Sequence, residues 1–165
     1  MDLLVNASGF ALWGARRFRC TIGRGGISAA KREGDGATPA GSFPLRFLLF
    51  RPDRETAPRT SLPIRPLMPS DGWCDAAEDM AYNRLVQLPY GAGAESLWRE
   101  DHVYDLIVPL GYNDVEVVPG KGSAIFLHLA TPDFAPTAGC VALAHDDLVA
   151  VLGGADETTR VVAAA

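Results

Sequence analysis

Ser123-Ala-Ile-Phe-Leu-His-Leu-Ala-Thr-Pro-Asp-Phe-Ala-Pro-Thr-Ala-Gly-Cys-Val-Ala-Leu143 is the stretch on which the reading of this chain turns. Its first part, Ser123 to Ala130, is an apolar run of strand length that carries one imidazole, His128. Runs of this kind form buried strands. A loop with Pro132 and Pro136 follows, and the turn Thr137-Ala138-Gly139-Cys140 then presents a thiol twelve positions after the histidine. A thiol becomes a good nucleophile when a neighbouring imidazole takes its proton. Gly139 lets the backbone bend tightly beside the sulfur. Successive amides at Ala138, Gly139 and Cys140 form a candidate oxyanion site. The Leu129 carbonyl is the expected partner of the ring's other nitrogen, fixing the tautomer where no acid is an obvious partner. The pattern points to acyl transfer by a cysteine.

Working outward, the flanks read as short strands joined by turns. Leu3 to Val5 and Ala11 to Trp13 surround Asn6-Ala7-Ser8-Gly9 as a hairpin, and Arg17 to Ile22 is the next strand. The glycine-rich segment Gly23 to Gly41 is predicted to be turn and loop. Phe43 to Phe50 reads as one strand. Five prolines between Arg51 and Asp71 predict extended surface chain, and Trp73 to Leu88 reads as mostly irregular. Ser96 to Arg99 is a candidate helical turn, while Val103 to Leu110 and Val115 to Val118 look like strands. The clearest helix is His145 to Leu152, with Asp146 and Asp147 in its first turn and Gly153-Gly154 as its stop. Thr158 to Val162 closes as a last strand. Many short strands and scarce helix predict a mainly β domain with one or two short helices.

Bulk composition narrows the classes. At 165 residues, with 48% hydrophobic and 21% charged side chains, the chain fits one globular domain over residues 1–165. A net charge of −5 argues against nucleic acid as a partner, although arginines gather between Arg16 and Arg65. No apolar stretch reaches the length of an integral membrane segment. The first residues lack a basic leader and a long apolar region, so the expected compartment is the cytoplasm, or the periplasm if a leader has been removed. Cys20, Cys74 and Cys140 are an odd number at wide spacings, which favours reduced thiols. Cys20 and Cys74 read as inert, His145 as a capping or surface residue, and His102 as solvated. Without a C-x-x-C or a close His pair, no metal is expected. The loop Gly34 to Gly41 lacks the Gly-Lys-[Ser/Thr] end of a phosphate-binding loop. Thr137, Asn83, Tyr82, Asp101 and Lys121 are candidate polar contacts for a zwitterionic peptide. Oligomeric state leaves no signal in the sequence.

The segment His128 with Thr137-Ala138-Gly139-Cys140-Val141 resembles the L,D-transpeptidase catalytic domain, also called the YkuD domain. In that family a strand histidine precedes a [Ser/Thr]-x-Gly-Cys-[Val/Ile] turn. A second hallmark, Thr-Pro-x-Gly-x-[Phe/Tyr], is matched by Thr38-Pro39-Ala40-Gly41-Ser42-Phe43. Similarity continues through Trp73-Cys74-Asp75, Tyr82-Asn83-Arg84 and Tyr104-Asp105, so the resemblance spans Arg24 to Val162. The chain departs from many members by carrying Ala138 before the Gly-Cys pair and Ala142 two residues after the cysteine. Its His-to-Cys interval is also short. The resemblance implies a β-sandwich and a Cys140 thioester formed by cleaving the meso-diaminopimelate to D-alanine bond of a peptidoglycan tetrapeptide stem, with no cofactor. An amine acceptor makes such an enzyme a transpeptidase, and water makes it an L,D-carboxypeptidase of muropeptide recycling. A non-catalytic module binding cell-wall fragments is the reading from another class.

Overall fold

The computed structural model describes residues 1–164. In chain order the elements are β1 (Leu3–Asn6), β2 (Phe10–Trp13), β3 (Arg16–Thr21), β4 (Ile27–Ser28), β5 (Thr38–Pro39), β6 (Gly41–Pro44), β7 (Leu48–Phe50), β8 (Ile64–Pro66), β9 (Asp71–Cys74), β10 (Leu85–Gln87), β11 (Ala94–Ser96), β12 (Leu106–Pro109), β13 (Phe126–Leu129), β14 (Val141–Leu143), α1 (His145–Gly154) and β15 (Arg160–Ala164). Ten of these strands form one mixed sheet in the order β6-β15-β1-β2-β3-β14-β13-β12-β7-β8. A small sheet, β10-β9-β11, and the pair β4-β5 complete the described strands. The molecule is mainly β, with a large sheet curled into a sandwich and one short helix.

Curling buries a single large apolar cluster. Leu3, Val5 and Trp13 from one half of the sheet meet Val108, Leu127 and Leu143 from the other, and Leu148, Val151 and Leu152 of α1 close it. Each fully buried aliphatic side chain of this kind contributes about 1.5–3 kcal/mol relative to exposure. The opposite face of the central strands packs on the small sheet. There Trp73 stands edge-on to Phe126, with ring centroids 5.1 Å apart, and Leu97, Tyr104 and Cys140 join the same cluster.

Several local expectations are corrected. The chain from Phe43 to Phe50 is not one strand, because it changes partner after Pro44: β6 pairs with β15, whereas β7 pairs with β12 and β8. Gly23 to Gly41 is loop except for the two-residue strands β4 and β5 and for Gly41, which opens β6. The proline-rich segment is mostly irregular, yet Leu62 and Leu67 are buried and β8 adds an edge to the sheet. Trp73 to Leu88 is more ordered than its composition predicts, since β9 lies at the centre of the small sheet. Ser96 to Arg99 is not helical; its first residue ends β11, where Glu95 pairs with Trp73. Val115 to Val118 is a turn held by Asn113, whose Oδ1 accepts from the Val118 amide at 2.8 Å. Val115 has no apolar face to pack on and is 81% exposed.

Candidate active site

Strand register places the two predicted groups on one face of the sheet. His128 lies opposite Ile107 of β12 on one side and Ala142 of β14 on the other, and Ala142 lies opposite Thr21 of β3. Residues directly opposite share a face, and so do residues two apart on one strand. Cys140, two before Ala142, therefore emerges on the face that carries His128. Both line a cavity of about 400 Å³, together with Thr21, Ala142, Ala138 and Tyr104. The small Ala142 leaves space beside the imidazole.

The ring is held from two directions. Its Nδ1 lies 2.8 Å from the Leu129 carbonyl, which leaves Nε2 as the nitrogen for chemistry. Tyr104 packs edge-on against it with centroids 5.2 Å apart. Nδ1 therefore carries the proton when the ring is neutral.

The cysteine turn is tied down by its own threonine. Thr137 Oγ1 donates to the Cys140 carbonyl at 2.6 Å and accepts from the Gly139 amide at 3.1 Å. That second bond corrects the expected oxyanion site, because the Gly139 amide is spent inside the turn and the Ala138 and Cys140 amides remain the candidates. Gly139 has φ +143°, and a Cβ there would lie 2.9 Å from the Ala37 carbonyl. Only glycine fits. The sulfur accepts from the Phe126 amide at 3.3 Å and donates to the Ala124 carbonyl at 3.2 Å. Among the described residues no hydrogen bond joins the thiol to His128.

Burial sets the charge state. It pushes the Cys140 thiol up to about 12, with Glu95 adding to the effect while the Phe126 amide and Lys31 oppose it. Burial also lowers His128 to about 4, against the opposing hydrogen bond to Leu129. Both shifts favour the neutral forms, thiol and imidazole.

The remaining predicted contacts divide. Asp101 lines the cavity, with its carboxylate bonded to Arg99 at 2.8 and 2.6 Å. Thr137 lines it too, although its hydroxyl serves the turn. Asn83, Tyr82 and Lys121 do not line it. Asn83 is buried and fully engaged: its Oδ1 accepts from Trp73 Nε1 and the Ala124 amide, and its Nδ2 donates to the Tyr112 and Asn113 carbonyls. It holds the turn whose Ala124 carbonyl receives the thiol, so it supports the site from behind. The buried Tyr82 hydroxyl donates to Glu33 and accepts from the Gly122 amide at 3.0 Å. Lys121 is exposed and offers Tyr112 only its carbonyl.

Sequence reasoning missed most of the cavity's charges: Arg24, Lys31, Glu33, Asp75, Glu95 and Arg99. Lys31 is buried and bonds Asp35 and the Arg32 carbonyl, each at 2.6 Å. Glu33 accepts from Ser123 at 2.8 Å. A lysine and a glutamate in a glycine-rich loop carry no periodicity to reveal burial; the one available signal was that both flank the Gly34 turn upstream of the Thr38-Pro39 hallmark. Among the described residues no cluster of His, Cys, Asp and Glu is suited to a metal ion.

The chain is similar to the helical cell shape determining protein Pgp2 from Campylobacter jejuni, with 16% identity and a TM-score of 0.46, and gives the same values with a single-site mutant of that protein. The likeness covers 98% of this chain and 46% of that one, so the chain spans less than half of Pgp2. No curated protein matches the sequence. The family model YkuD, the L,D-transpeptidase catalytic domain, matches residues 7–162, and the chain belongs to that family.

Proposed function

We propose that the protein is a cysteine acyltransferase acting on peptidoglycan tetrapeptide stems, with Cys140 as nucleophile and His128 as general base. The observation that carries this reading is the shared cavity: an anchored imidazole and a thiol on one face of neighbouring strands, beside main-chain donors at Ala138 and Cys140. Family membership supports the substrate class, since the family acts on peptidoglycan. His128 Nε2 takes the thiol proton as sulfur attacks the carbonyl of the L-centre of meso-diaminopimelate. The two amides stabilise the oxyanion, His128 returns the proton to the departing D-alanine, and a thioester remains. The acceptor then regenerates the thiol. No metal or organic cofactor takes part in this scheme.

A second reading, L,D-carboxypeptidase action in the cytoplasm, shares every step up to the thioester. Ala138 and Ala142 favour it, because neither provides a polar side chain beside the sulfur to hold a second stem. Among the described residues no helix is long and apolar enough to cross a membrane. Purified protein incubated with tetrapeptide and analysed by mass spectrometry separates the two. Crosslinked dimer is the product of transfer, whereas tripeptide alone overturns the transferase reading and leaves the hydrolase.

A further inference from the structure

Of the four carboxylates that line the cavity, Glu33, Asp75 and Glu95 form no salt bridge among the described residues; Asp75 is exposed, and Glu95 is the partly buried one with the weakest partners. Lys31 is committed to Asp35, and Arg99 forms a two-point pair with Asp101. Glu33 accepts from two hydroxyls, those of Tyr82 and Ser123. Glu95 lines the same cavity, yet among the described residues it forms no salt bridge. Its only side-chain hydrogen bonds are long contacts from Tyr104 OH, at 3.4 and 3.5 Å. The small sheet fixes its position: β11 pairs with β9, Glu95 lies opposite Trp73, and Trp73 is braced on Phe126. The carboxylate therefore hangs from a rigid element over the cavity that holds Cys140, partly shielded from water.

We infer that Glu95 is a specificity-determining residue that receives a cationic amine of the substrate. A partly buried carboxylate without a paired cation is costly, and a bound ammonium removes that cost. Resting on the stem-peptide reading above, the matching group is the free ammonium at the far end of the meso-diaminopimelate side chain, six bonds from the carbonyl under attack. Burial raises Glu95 to about 7. The groups facing it are Arg99, which opposes that rise, Asp75 and Glu33, which add to it, and Tyr104 and Cys140. Affinity for an amine-bearing stem consequently rises as pH climbs from 6 to 8 and Glu95 ionises.

The test is calorimetric binding of two tetrapeptides to the intact chain carrying Cys140→Ser, which cannot form the thioester. One peptide contains meso-diaminopimelate; the other contains 2-aminopimelate, which keeps the distal carboxylate and lacks the amine. The amine-bearing peptide is expected to bind at least about tenfold more tightly at pH 8. Adding Glu95→Gln should bring that ratio to within about twofold of unity. Equal affinities, no binding of either peptide, or a preference that survives Glu95→Gln overturns the inference. Turnover of the amine-bearing tetrapeptide by the unmodified protein is read separately. Selective binding without turnover refutes the acyltransferase reading and leaves the role of Glu95 intact. A melting curve of the Glu95→Gln protein verifies the fold, and the two-peptide comparison in the Glu95 protein stands whether or not that variant folds.

Discussion

Alternate residues of β13 and β14 meet two unlike environments. Leu127, Leu129, Val141 and Leu143 enter the main core against α1 and the far half of the sheet. Phe126, His128, Cys140 and Ala142 face the other way, where Trp73 and Tyr104 pack on part of the surface and a cavity opens over the rest. The backbone is common to both sets, and only the side-chain period of two separates them. One face holds the strands rigid, and the other uses that rigidity to present chemistry. The side chains of both sets are buried, but burial acts differently on each. On the core side it stabilises the fold. On the cavity side it favours the neutral imidazole and the neutral thiol.

The sharpest way to break this comparison is a substitution on each face. His128→Asn keeps a polar side chain able to donate to Leu129 but removes the proposed base. Turnover of tetrapeptide should fall about 10²–10⁴-fold with the fold retained. Leu127→Ala, one residue away and fully buried, should do the opposite. It should cost about 2–5 kcal/mol in a denaturant titration, because the core side cannot refill the space. The rate per folded molecule should stay within severalfold of the original. If Leu127→Ala abolished turnover in fully folded protein, the division between the faces would be wrong.

A smaller effect sharpens the contrast. His128 has its pKa lowered in the folded state to about 4 from an ordinary 6.5. The unfolded chain therefore binds more protons between those values, and stability contributed by the neutral ring is present above pH 6.5 and lost as pH falls toward 4. The loss amounts to at most about 3 kcal/mol. Urea midpoints measured from pH 7 to 4 should fall less steeply for His128→Asn than for the original protein. Parallel slopes would show that the ring is already charged or solvated.

The core face and the nucleophile turn were legible because both are local. An apolar run, a proline-bounded loop and Thr137-Ala138-Gly139-Cys140 each announce themselves within a few residues. The α1 helix was legible for the same reason, and it extends to Gly154 where the sequence suggested a stop after Leu152. Glu95, Lys31 and Glu33 were not legible, because they reach the cavity only through pairings distant in sequence. Asn83 and Tyr82 stood out as polar, yet nothing local could say that they face inward. Asn83 takes its place because Trp73 and the Ala124 turn converge on it from opposite sides. Val115 to Val118 misled for the converse reason: β-branched composition without a partner strand produces a turn.

The central claim is tested most directly by the mass of the intact protein after a short incubation with tetrapeptide or a penem, followed by peptide mapping. Acylation should add one acyl group, located on the peptide that contains Cys140, and it should be absent in Cys140→Ser. Burial also raises the thiols of Cys20 and Cys74, and neither lines the His128 cavity, so both should stay unmodified. An adduct on Cys20 or Cys74, or one that persists in Cys140→Ser, would contradict the account.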